Sequence, residues 1–510
     1  MKQEKSQIKI GAFLSYINML VGNLIPLFYT PIMLELLGQS EYGLYKLASS
    51  AASYLSLASF GIGSAVTRFL IKAQIENGKT AEENMFGLFN LVFQAIAVIA
   101  CVIGCIIAFN LDHFYSKSLS AYELNRMTFL VLILTVNTAV GFSASSYNAV
   151  VTSHERFLFL QTINIISTCV GPIVNLIVLY FGFASIGMVV SSLLLNILIR
   201  ILYIVYVRHT LKIRPRYNNM PTQLVKDVLL FSFWVFIANI VSQLYNATDT
   251  LIIGAVPALA TVGVAIYNVG ATFNHMVFSL AQAVSTLFAP RANKMVFSGA
   301  SNEELTDFVI RVGRYQCYVI TLVCSGFVAF GKPFIIWYVG TDYMDAYWVA
   351  VFMMIPSCIP LVQSAANCII QAKNKHQFRS VTYLFIAILN VIGTYLLVNN
   401  YGIVGAALMT GLANILGQGI LMNWYYWKKI GLNIPKFWKS ILRIEWIPVI
   451  MCIVTLFLGR HIDFSNLPVF FAGVLAYIAV YCLLNWIFSL LPDEKELVLS
   501  IFKKLLRKTA

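Results

Sequence analysis

Residues 36–72, LLGQSEYGLYKLASSAASYLSLASFGIGSAVTRFLIK, are the clearest membrane segment of the sequence. A polar turn at 38–42 leads into a long run of small and apolar residues, in which glycine and serine recur at three- and four-residue spacing. Such spacing lets membrane helices approach one another closely. The run ends in Arg68 and Lys72, and charges in a membrane helix are costly unless they face water or a partner. The segment therefore predicts a long membrane helix with close neighbours and a cationic mouth.

The composition is that of an integral membrane protein. Of 510 residues, 59% are hydrophobic and only 11% are charged, whereas a soluble protein carries about 25% charged residues. The net charge of +14 lies in short loops between apolar runs, so membrane topology explains it better than nucleic-acid binding. The nine cysteines show neither Cys-X-X-Cys nor Cys/His spacing, so we expect no disulfide framework, metal site or bound cofactor.

The apolar runs predict an all-α integral membrane protein with about fourteen transmembrane helices. Each run has roughly twenty residues, enough to cross the hydrocarbon core of a bilayer. The basic start is read as the beginning of the first helix, because the apolar stretch behind it is too long for a signal peptide. The predicted spans are 10–36, 42–71, 86–109, 127–150, 157–181, 184–207, 228–253, 261–289, 312–331, 346–371, 380–398, 402–427, 444–459 and 467–490.

Lysine and arginine are distributed unevenly between alternate loops. With the N-terminus in the cytoplasm, 29 of the 35 cations fall in cytoplasmic segments, five fall outside and Arg200 lies within a helix. Because positive loops remain inside, this bias predicts that both termini are cytoplasmic in a multi-pass protein of the bacterial cytoplasmic membrane. The outside loops are all short, which leaves no room for a soluble catalytic domain.

Two parts of the sequence match at a nearly constant offset. Residues 16–33 align with 236–253, and the offset stays between 215 and 223 residues across six helices. Leucine-rich helices align easily by chance, but a constant offset favours a true repeat. The paired positions are Asn23 with Gln243, Arg68 with Arg291, Asn148 with Asn367, Asn175 with Asn390, Gly187 with Gly405 and Asn196 with Asn414.

The repeat predicts two parallel six-helix lobes related by an axis along the membrane normal. The first lobe covers 1–210 and the second 224–430, followed by an extra helix pair at 440–492 and a basic cytoplasmic tail at 493–510. Two such lobes enclose a cleft that opens alternately to each side of the membrane. This is the organisation of a carrier.

Three motifs give the chain a family resemblance. It resembles the Wzx-type polysaccharide flippases of the MATE-like MOP superfamily, which also includes lipid II flippases and multidrug exporters. The first twelve helices carry the resemblance. Its residues are Leu37-Gly38, Glu41-Tyr42-Gly43-Leu44-Tyr45, Phe60-Gly61-Ile62-Gly63, Ala65, Arg68-Phe69, Phe330-Gly331-Lys332-Pro333-Phe334, Trp337 and Gly340.

The resemblance implies that the protein moves an undecaprenyl-diphosphate-linked oligosaccharide from the inner to the outer leaflet, for O-antigen, lipopolysaccharide or another surface polysaccharide. It implies as partners the lipid-linked oligosaccharide, membrane lipids, and a polysaccharide polymerase and glycosyltransferases. We expect a monomer that binds no nucleic acid. The extra helix pair is shared with the lipid II group, where it is associated with the lipid tail.

Basic residues are the candidates for binding the diphosphate, since a guanidinium binds phosphate with its planar fork. The alternatives are an anchor that reaches the interface for Arg68, and the positive-inside bias for Lys72 and Lys294. Lys46 lies near the outer end of the second helix. The predicted diphosphate ligands are Arg68, Arg291, Lys46, Lys72 and Lys294.

Asp249 and His275 are the candidates for ion coupling. Asp249 is the only acid well inside a predicted helix and would bind H⁺ or Na⁺ or pair with an arginine of the cleft. The alternative is a carboxylate exposed to water at the helix end. His275 would relay protons or make a neutral hydrogen bond. An H⁺ or Na⁺ gradient is therefore a possible energy source.

Uncharged polar residues recur at matching repeat positions. Asn23, Asn148, Gln243 and Asn367 are predicted to line the cleft and contact sugar, and the alternative is hydrogen bonding between helices. Two other function classes stay open. A cation-coupled multidrug exporter would use the same architecture, whereas a membrane enzyme would need a larger outside loop with catalytic residues. We therefore expect a protein that is not an enzyme.

Overall fold

The computed structural model describes residues 2–218, 224–375 and 377–509. Within these ranges the chain forms helices joined by turns and contains no β-strand. The side chains of some of these residues lie outside the described part of the chain, among them that of Ser64 in the predicted second helix and that of Lys226. These side chains are those of 2–9, 11–13, 16, 64, 77, 224–227, 229–231, 234 and 501–509.

Seven α-helices and two short ones make up the first half of the described chain. A 3₁₀ turn at Tyr54–Ser59 follows the second helix, and a π-helical turn at Tyr206–Thr210 follows the seventh. The helices are α1 (Lys2–Leu37), α2 (Gln39–Ser53), α3 (Ile62–Phe109), α4 (Leu111–Tyr115), α5 (Ala121–Ser153), α6 (Phe157–Tyr180), α7 (Ala184–Val205), α8 (Leu224–Asn246) and α9 (Thr248–Ala255).

The second half continues in the same way. Its π-helical turns lie at Ile415–Met422, Tyr426–Ile430 and Asn485–Ser489. The helices are α10 (Ala260–Phe297), α11 (Asn302–Val339), α12 (Ala346–Val362), α13 (Ser364–Ala372), α14 (Gln377–Asn414), α15 (Asn423–Tyr425), α16 (Ile434–Leu458), α17 (Leu467–Leu484) and α18 (Pro492–Thr509).

All fourteen predicted spans fall on these helices. Nine described helices are long and apolar enough to cross a membrane, and α12 with α13, bent by 46°, makes a tenth. One of the nine, Gln377–Ile430, covers two predicted spans, separated at Gly402 with a φ of 58°. The chain is therefore a multi-pass membrane protein, as its composition predicts.

The remaining three predicted spans are interrupted or polar. The span predicted at 42–71 breaks between Ser59 and Ile62, and the span predicted at 228–253 breaks between α8 and α9. The span predicted at 261–289 coincides with α10. Polar residues inside that span are Asn268, Asn274, His275 and Gln282.

The chain folds into two compact units. The first comprises residues 1–268 and 387–406, and the second comprises 269–386 and 407–510. In the first unit α3 packs on α5, α1 packs on α6, and α7 packs on both α5 and α6. In the second unit α11 packs on α12, α16 and α17. The lobe boundaries predicted from the sequence stay a prediction.

Apolar side chains fill each unit. In the first, Leu70, Phe86, Phe89, Phe93 and Val150 are almost fully buried in one cluster, because membrane helices rich in small residues pack their larger side chains tightly between them. In the second unit a smaller cluster joins α11, α16 and α17. Its buried members are Phe330, Ile447, Met451, Phe470, Tyr477 and Tyr481.

Aromatic contacts repeat at the offset that the sequence predicts. In the first unit Phe159 of α6 stacks on Tyr206, with ring centroids 3.8 Å apart and an interplanar angle of 10°. In the second unit Phe378 of α14 stacks on Tyr425 at 4.3 Å and 11°. Both partners are displaced by 219 residues. The internal repeat therefore extends from the sequence to individual side-chain contacts.

An ion pair repeats in the same way. The Nε of Arg216 lies 2.7 Å from Oε2 of Glu83 near the start of the third predicted helix. In the second unit the Nζ of Lys436 lies 2.7 Å from Oδ1 of Asp307, near the start of α11. The basic residues are 220 positions apart and the acids 224. Surface pairs of this kind contribute little stability, so their recurrence reflects the common fold of the two halves.

Candidate functional site

The second and seventh predicted helices are both interrupted. After the 3₁₀ turn at Tyr54–Ser59, Phe60 and Gly61 have φ values of 47° and 69°. Glycine adopts this left-handed conformation at little cost, whereas phenylalanine does so rarely. A break at membrane depth frees backbone groups and is tolerated where the protein supplies polar partners. The two breaks therefore predict polar side chains beside them.

Polar side chains join the two interrupted helices within the first unit. Gln243 of α8 donates a 3.0 Å hydrogen bond to Oγ of Ser56 and accepts one at 3.0 Å from Oγ of Ser53. Tyr54 and Thr248 share a short hydrogen bond between their hydroxyl groups. These contacts place Gln243 between helices, in agreement with the interhelical alternative for this residue.

Asp249, the second residue of α9, lies beside this polar region. Its carboxylate accepts a 2.6 Å hydrogen bond from the Tyr267 hydroxyl and a 3.1 Å hydrogen bond from Oγ1 of Thr394. The residue is only 1% exposed. A buried carboxylate without partners would be costly, and the two hydroxyl groups offset that cost. They also make an oxygen-rich environment that suits a proton or a hard cation.

The alternative of a water-exposed Asp249 is wrong, because tertiary packing covers the carboxylate at the end of the seventh predicted helix. The sequence did not indicate its two partners. Tyr267 lies 18 residues further on, in α10, and Thr394 lies 145 residues further on, in α14. A polar residue facing a buried acid leaves no periodic signal when it comes from a distant helix.

The predicted phosphate ligands of the first unit lie along one helix. Arg68 and Lys72, both exposed, are one helical turn apart in α3. Lys72 makes a long contact of 4.0 Å with Glu76, in which both side chains are more than half exposed. A pair of that kind contributes little, so Lys72 keeps the capacity to bind another anion.

The predicted phosphate ligands of the second unit have the same arrangement. Arg291 and Lys294 lie near the end of α10 and are both exposed. Their spacing of three residues places them on neighbouring positions of one helix surface. Their role in binding phosphate stays a prediction, as does that of Arg68 and Lys72.

Lys46 and His275 occupy different environments. The Nζ of Lys46 lies 5.4 Å from the ring centroid of Tyr42, a distance at which an ammonium group is attracted to the aromatic face. Lys46 itself is partly exposed. His275 is exposed on α10. Neither observation assigns a coupling or binding role, so both assignments stay predictions.

The predicted cleft asparagines all have protein partners. Asn148 donates a 3.2 Å hydrogen bond to the hydroxyl of Tyr203, and its repeat partner Asn367 accepts a 2.7 Å hydrogen bond from the hydroxyl of Tyr426. Asn23 donates at 2.8 Å to the carbonyl of Met19 in its own helix. The asparagine and tyrosine contact thus belongs to both units and positions the sixth helix of each predicted lobe.

The motif Glu41-Tyr42-Gly43 has a clear packing role. Glu41 accepts a 2.6 Å hydrogen bond from Nε of Arg126 and a second from the hydroxyl of Ser185. Gly43 lies against the backbone of Thr261, where any Cβ would overlap the carbonyl oxygen. The motif that supports the family resemblance therefore joins α2, α5, α7 and α10 within the first unit.

Comparisons with known proteins agree with this architecture. A family model described as "Polysaccharide biosynthesis protein" matches residues 9–293. No curated protein sequence matches the chain significantly.

Solved structures give a likeness that covers nearly the whole chain. The lipid II flippase MurJ in an inward closed conformation is 16% identical with a TM-score of 0.69, covering 94% of this chain and 98% of that chain. An inward-facing multidrug resistance MATE family transporter of the MOP superfamily is 12% identical with a TM-score of 0.59, covering 83% and 99%. The Vibrio cholerae MATE transporter VcmN in its bent form is 15% identical with a TM-score of 0.53, covering 86% and 99%. At these identities the likeness establishes a MATE-like fold.

Proposed function

Because the chain belongs to the polysaccharide biosynthesis protein family, as the match over more than half of its residues shows, we propose that it is a flippase for a lipid-linked oligosaccharide. The proposed cargo is an oligosaccharide repeat unit on undecaprenyl diphosphate, carried across the bacterial cytoplasmic membrane for surface polysaccharide synthesis. The observation that carries the proposal is this family match on a chain with a transporter fold. O-antigen or another surface polysaccharide would be the end product.

The cargo poses three physical problems. Its diphosphate is doubly charged, its sugar is hydrated and its tail is apolar. Arg68, Lys72, Arg291 and Lys294 supply exposed cations, and charge-assisted bonds from guanidinium to phosphate are strong and directional. The tail stays in lipid, where its burial costs nothing. A site that binds the headgroup strongly and leaves the tail in the bilayer is what this cargo requires.

Alternating access provides the movement. The repeated six-helix halves predict two lobes that tilt about a cleft, with Lys46 at its outer mouth. Asn23, Asn148, Gln243 and Asn367 would contact sugar in a conformation that exchanges their present hydrogen bonds. Each bond contributes about 0.5 to 1.5 kcal/mol net, so this exchange is energetically accessible.

Asp249 is the proposed coupling residue, with His275 as a second candidate. The hydroxyls of Tyr267 and Thr394 that point at the Asp249 carboxylate support the binding of H⁺ or Na⁺. Occupation of the site would neutralise a charge at membrane depth and so favour one conformation over another. The energy source is therefore an H⁺ or Na⁺ gradient, with no other cofactor.

The second candidate function is a cation-coupled multidrug exporter. The MATE-like fold and the buried Asp249 favour it, since both suit cation-coupled transport. The proposed flippase would work with a polymerase and glycosyltransferases, as a monomer with both termini in the cytoplasm, and would catalyse no covalent reaction.

Deleting the gene in its native cell separates the two functions. The flippase proposal expects undecaprenyl-diphosphate oligosaccharide to accumulate on the cytoplasmic side and surface polysaccharide to disappear. A deletion that leaves polysaccharide intact but raises the cellular retention of cationic dyes would favour the exporter. Complementation with the wild-type gene must restore the lost property in either case.

A further inference from the structure

The first turn of α18 is attached to α11 by a buried ion pair. The guanidinium of Arg314 binds the carboxylate of Glu494 with both of its edges, Nε to Oε1 at 2.7 Å and Nη2 to Oε2 at 2.8 Å. The two residues are 2% and 4% exposed. Arg314 also donates to the carbonyl oxygen of Ser489 at 2.7 Å. Breaking a buried pair of this kind is strongly unfavourable, so the start of α18 has a fixed position.

The helix follows directly after a membrane-length segment. The last such segment of the described chain, Leu467–Ser489, ends two residues before α18 begins at Pro492. In the bilayer, α18 must therefore start at the membrane surface. Two of its apolar side chains, Leu497 and Leu499, are each 46% exposed. Large apolar groups exposed at that level are suited to contact with the boundary between headgroups and acyl chains.

The sequence of α18, PDEKELVLSIFKKLLRKT, is amphipathic. Apolar and basic residues alternate in groups of two and three, a spacing that separates them on opposite faces of a helix. The acids are confined to the first five residues, whereas the last half carries cations alone. These cations are Lys503, Lys504, Arg507 and Lys508.

We propose that α18 is a docking helix for anionic phospholipid headgroups, fixed at one end by Arg314 and Glu494 and attached to the membrane surface through its four terminal cations. The position of its start and its exposed leucines favour a lipid surface over a soluble partner. Basic residues near an anionic leaflet add attraction that is lost at high salt. This site is independent of the proposed cargo, so its test does not require transport.

The experiment measures the thermal unfolding of the purified full-length protein in detergent. Phosphatidylglycerol is added as the anionic lipid and phosphatidylcholine as the neutral comparator. The test variant carries Lys503→Gln, Lys504→Gln, Arg507→Gln and Lys508→Gln. A matched control replaces four exposed cations elsewhere, with Lys428→Gln, Lys429→Gln, Lys439→Gln and Arg443→Gln.

A lipid that binds only the folded protein raises its unfolding temperature. The wild-type protein and the control should show a larger rise with phosphatidylglycerol than with phosphatidylcholine. The test variant should need at least about tenfold more phosphatidylglycerol for the same rise. An unchanged response of the test variant would overturn the proposal.

A second arm uses only the wild-type protein, in case the test variant does not fold. High salt should remove the difference between the two lipids, because it screens the attraction of exposed cations for the headgroups. Equal responses to both lipids at low salt, or a preference for phosphatidylglycerol that survives high salt, would each overturn the proposal.

Discussion

Tyr267 donates a 2.6 Å hydrogen bond to the carboxylate of Asp249, and the acid is only 1% exposed. With Thr394 as a second donor, the pair forms a fully packed polar site in an otherwise apolar helix environment. Ionisable residues at membrane depth are costly and usually functional. The pairing makes Asp249 the residue of this chain whose change of charge would be felt most strongly by its surroundings.

Replacing Asp249 with Asn should uncouple transport from its ion gradient, because the amide carries no charge for H⁺ or Na⁺ to neutralise. The measurement is cargo exchange in proteoliposomes with and without an imposed Na⁺ or pH gradient. We expect the wild-type rate to respond to one of the two gradients and the variant rate to respond to neither. Glu123→Gln, on a partly exposed acid of α5 in the same unit, is the control and should respond as the wild type does. A variant at Asp249 that still follows the gradient would remove the residue from the coupling mechanism.

Replacing Arg68 or Arg291 with Ala should slow cargo exchange by about tenfold or more, since a charge-assisted hydrogen bond contributes about 1.5 to 3 kcal/mol. Lysine at either position should restore part of the rate, because it keeps the charge but loses the planar fork. Lys117→Ala, on the predicted outside, is the matched control. Normal rates for both alanine variants at equal protein levels would exclude these arginines from diphosphate binding.

The pair of Arg314 and Glu494 should control the stability of the second unit. Glu494→Ala leaves a buried guanidinium without its carboxylate, so we expect a loss of about 3 to 5 kcal/mol in the free energy of unfolding. Thermal and denaturant unfolding in detergent measure this loss. Asp493→Ala, at the neighbouring exposed acid, should change the stability by less than about 0.5 kcal/mol. Equal stabilities of the two variants would contradict the assignment.

The same pair predicts a pH dependence. Burial favours the neutral form of Glu494, but hydrogen bonds from Arg314 outweigh it and hold the pKa of the carboxyl below its usual value. A lowered pKa in the folded state stabilises the protein above the ordinary glutamate pKa of about 4.3. This contribution should be complete at neutral pH and should disappear as the pH falls through the lower folded value. Unfolding measured across that range should show the loss in the wild type and a much smaller one in Glu494→Gln.

Gly43→Ala should destabilise the first unit. The added methyl group would overlap the carbonyl oxygen of Thr261, and relieving such overpacking costs about 1 to 3 kcal/mol. Gly141→Ala is the control, because a Cβ there meets nothing within 4 Å. The unfolding temperature should fall for the first variant and stay the same or rise for the second. A fall of equal size in both would mean that the close approach at Gly43 has no special role.

Local patterns predicted most of the helices and the internal repeat. Apolar runs are long in a membrane protein, so all fourteen predicted spans coincide with helices, and the offset between Phe159 and Phe378 appears again in their stacked partners. The break at Phe60 escaped prediction, because neither flanking residue is one that normally ends a helix.

Partners far apart in the sequence could not be predicted. Arg314 and Glu494 are separated by 180 residues, and Asp249 and Thr394 by 145. Their pairing depends on how helices pack, and hydrophobic periodicity does not report which polar residues meet. For the same reason the sequence indicated Gln243 as polar, but the structure was needed to identify Ser53 and Ser56 as its partners.

Leaflet exchange of a fluorescent undecaprenyl-diphosphate oligosaccharide by the reconstituted protein tests the central claim most directly. Wild-type proteoliposomes should exchange the labelled lipid much faster than protein-free liposomes, and the variant with both Arg68→Ala and Arg291→Ala should fall close to the protein-free rate. Folded wild-type protein that gives no exchange above protein-free liposomes, with either gradient imposed, would contradict the account.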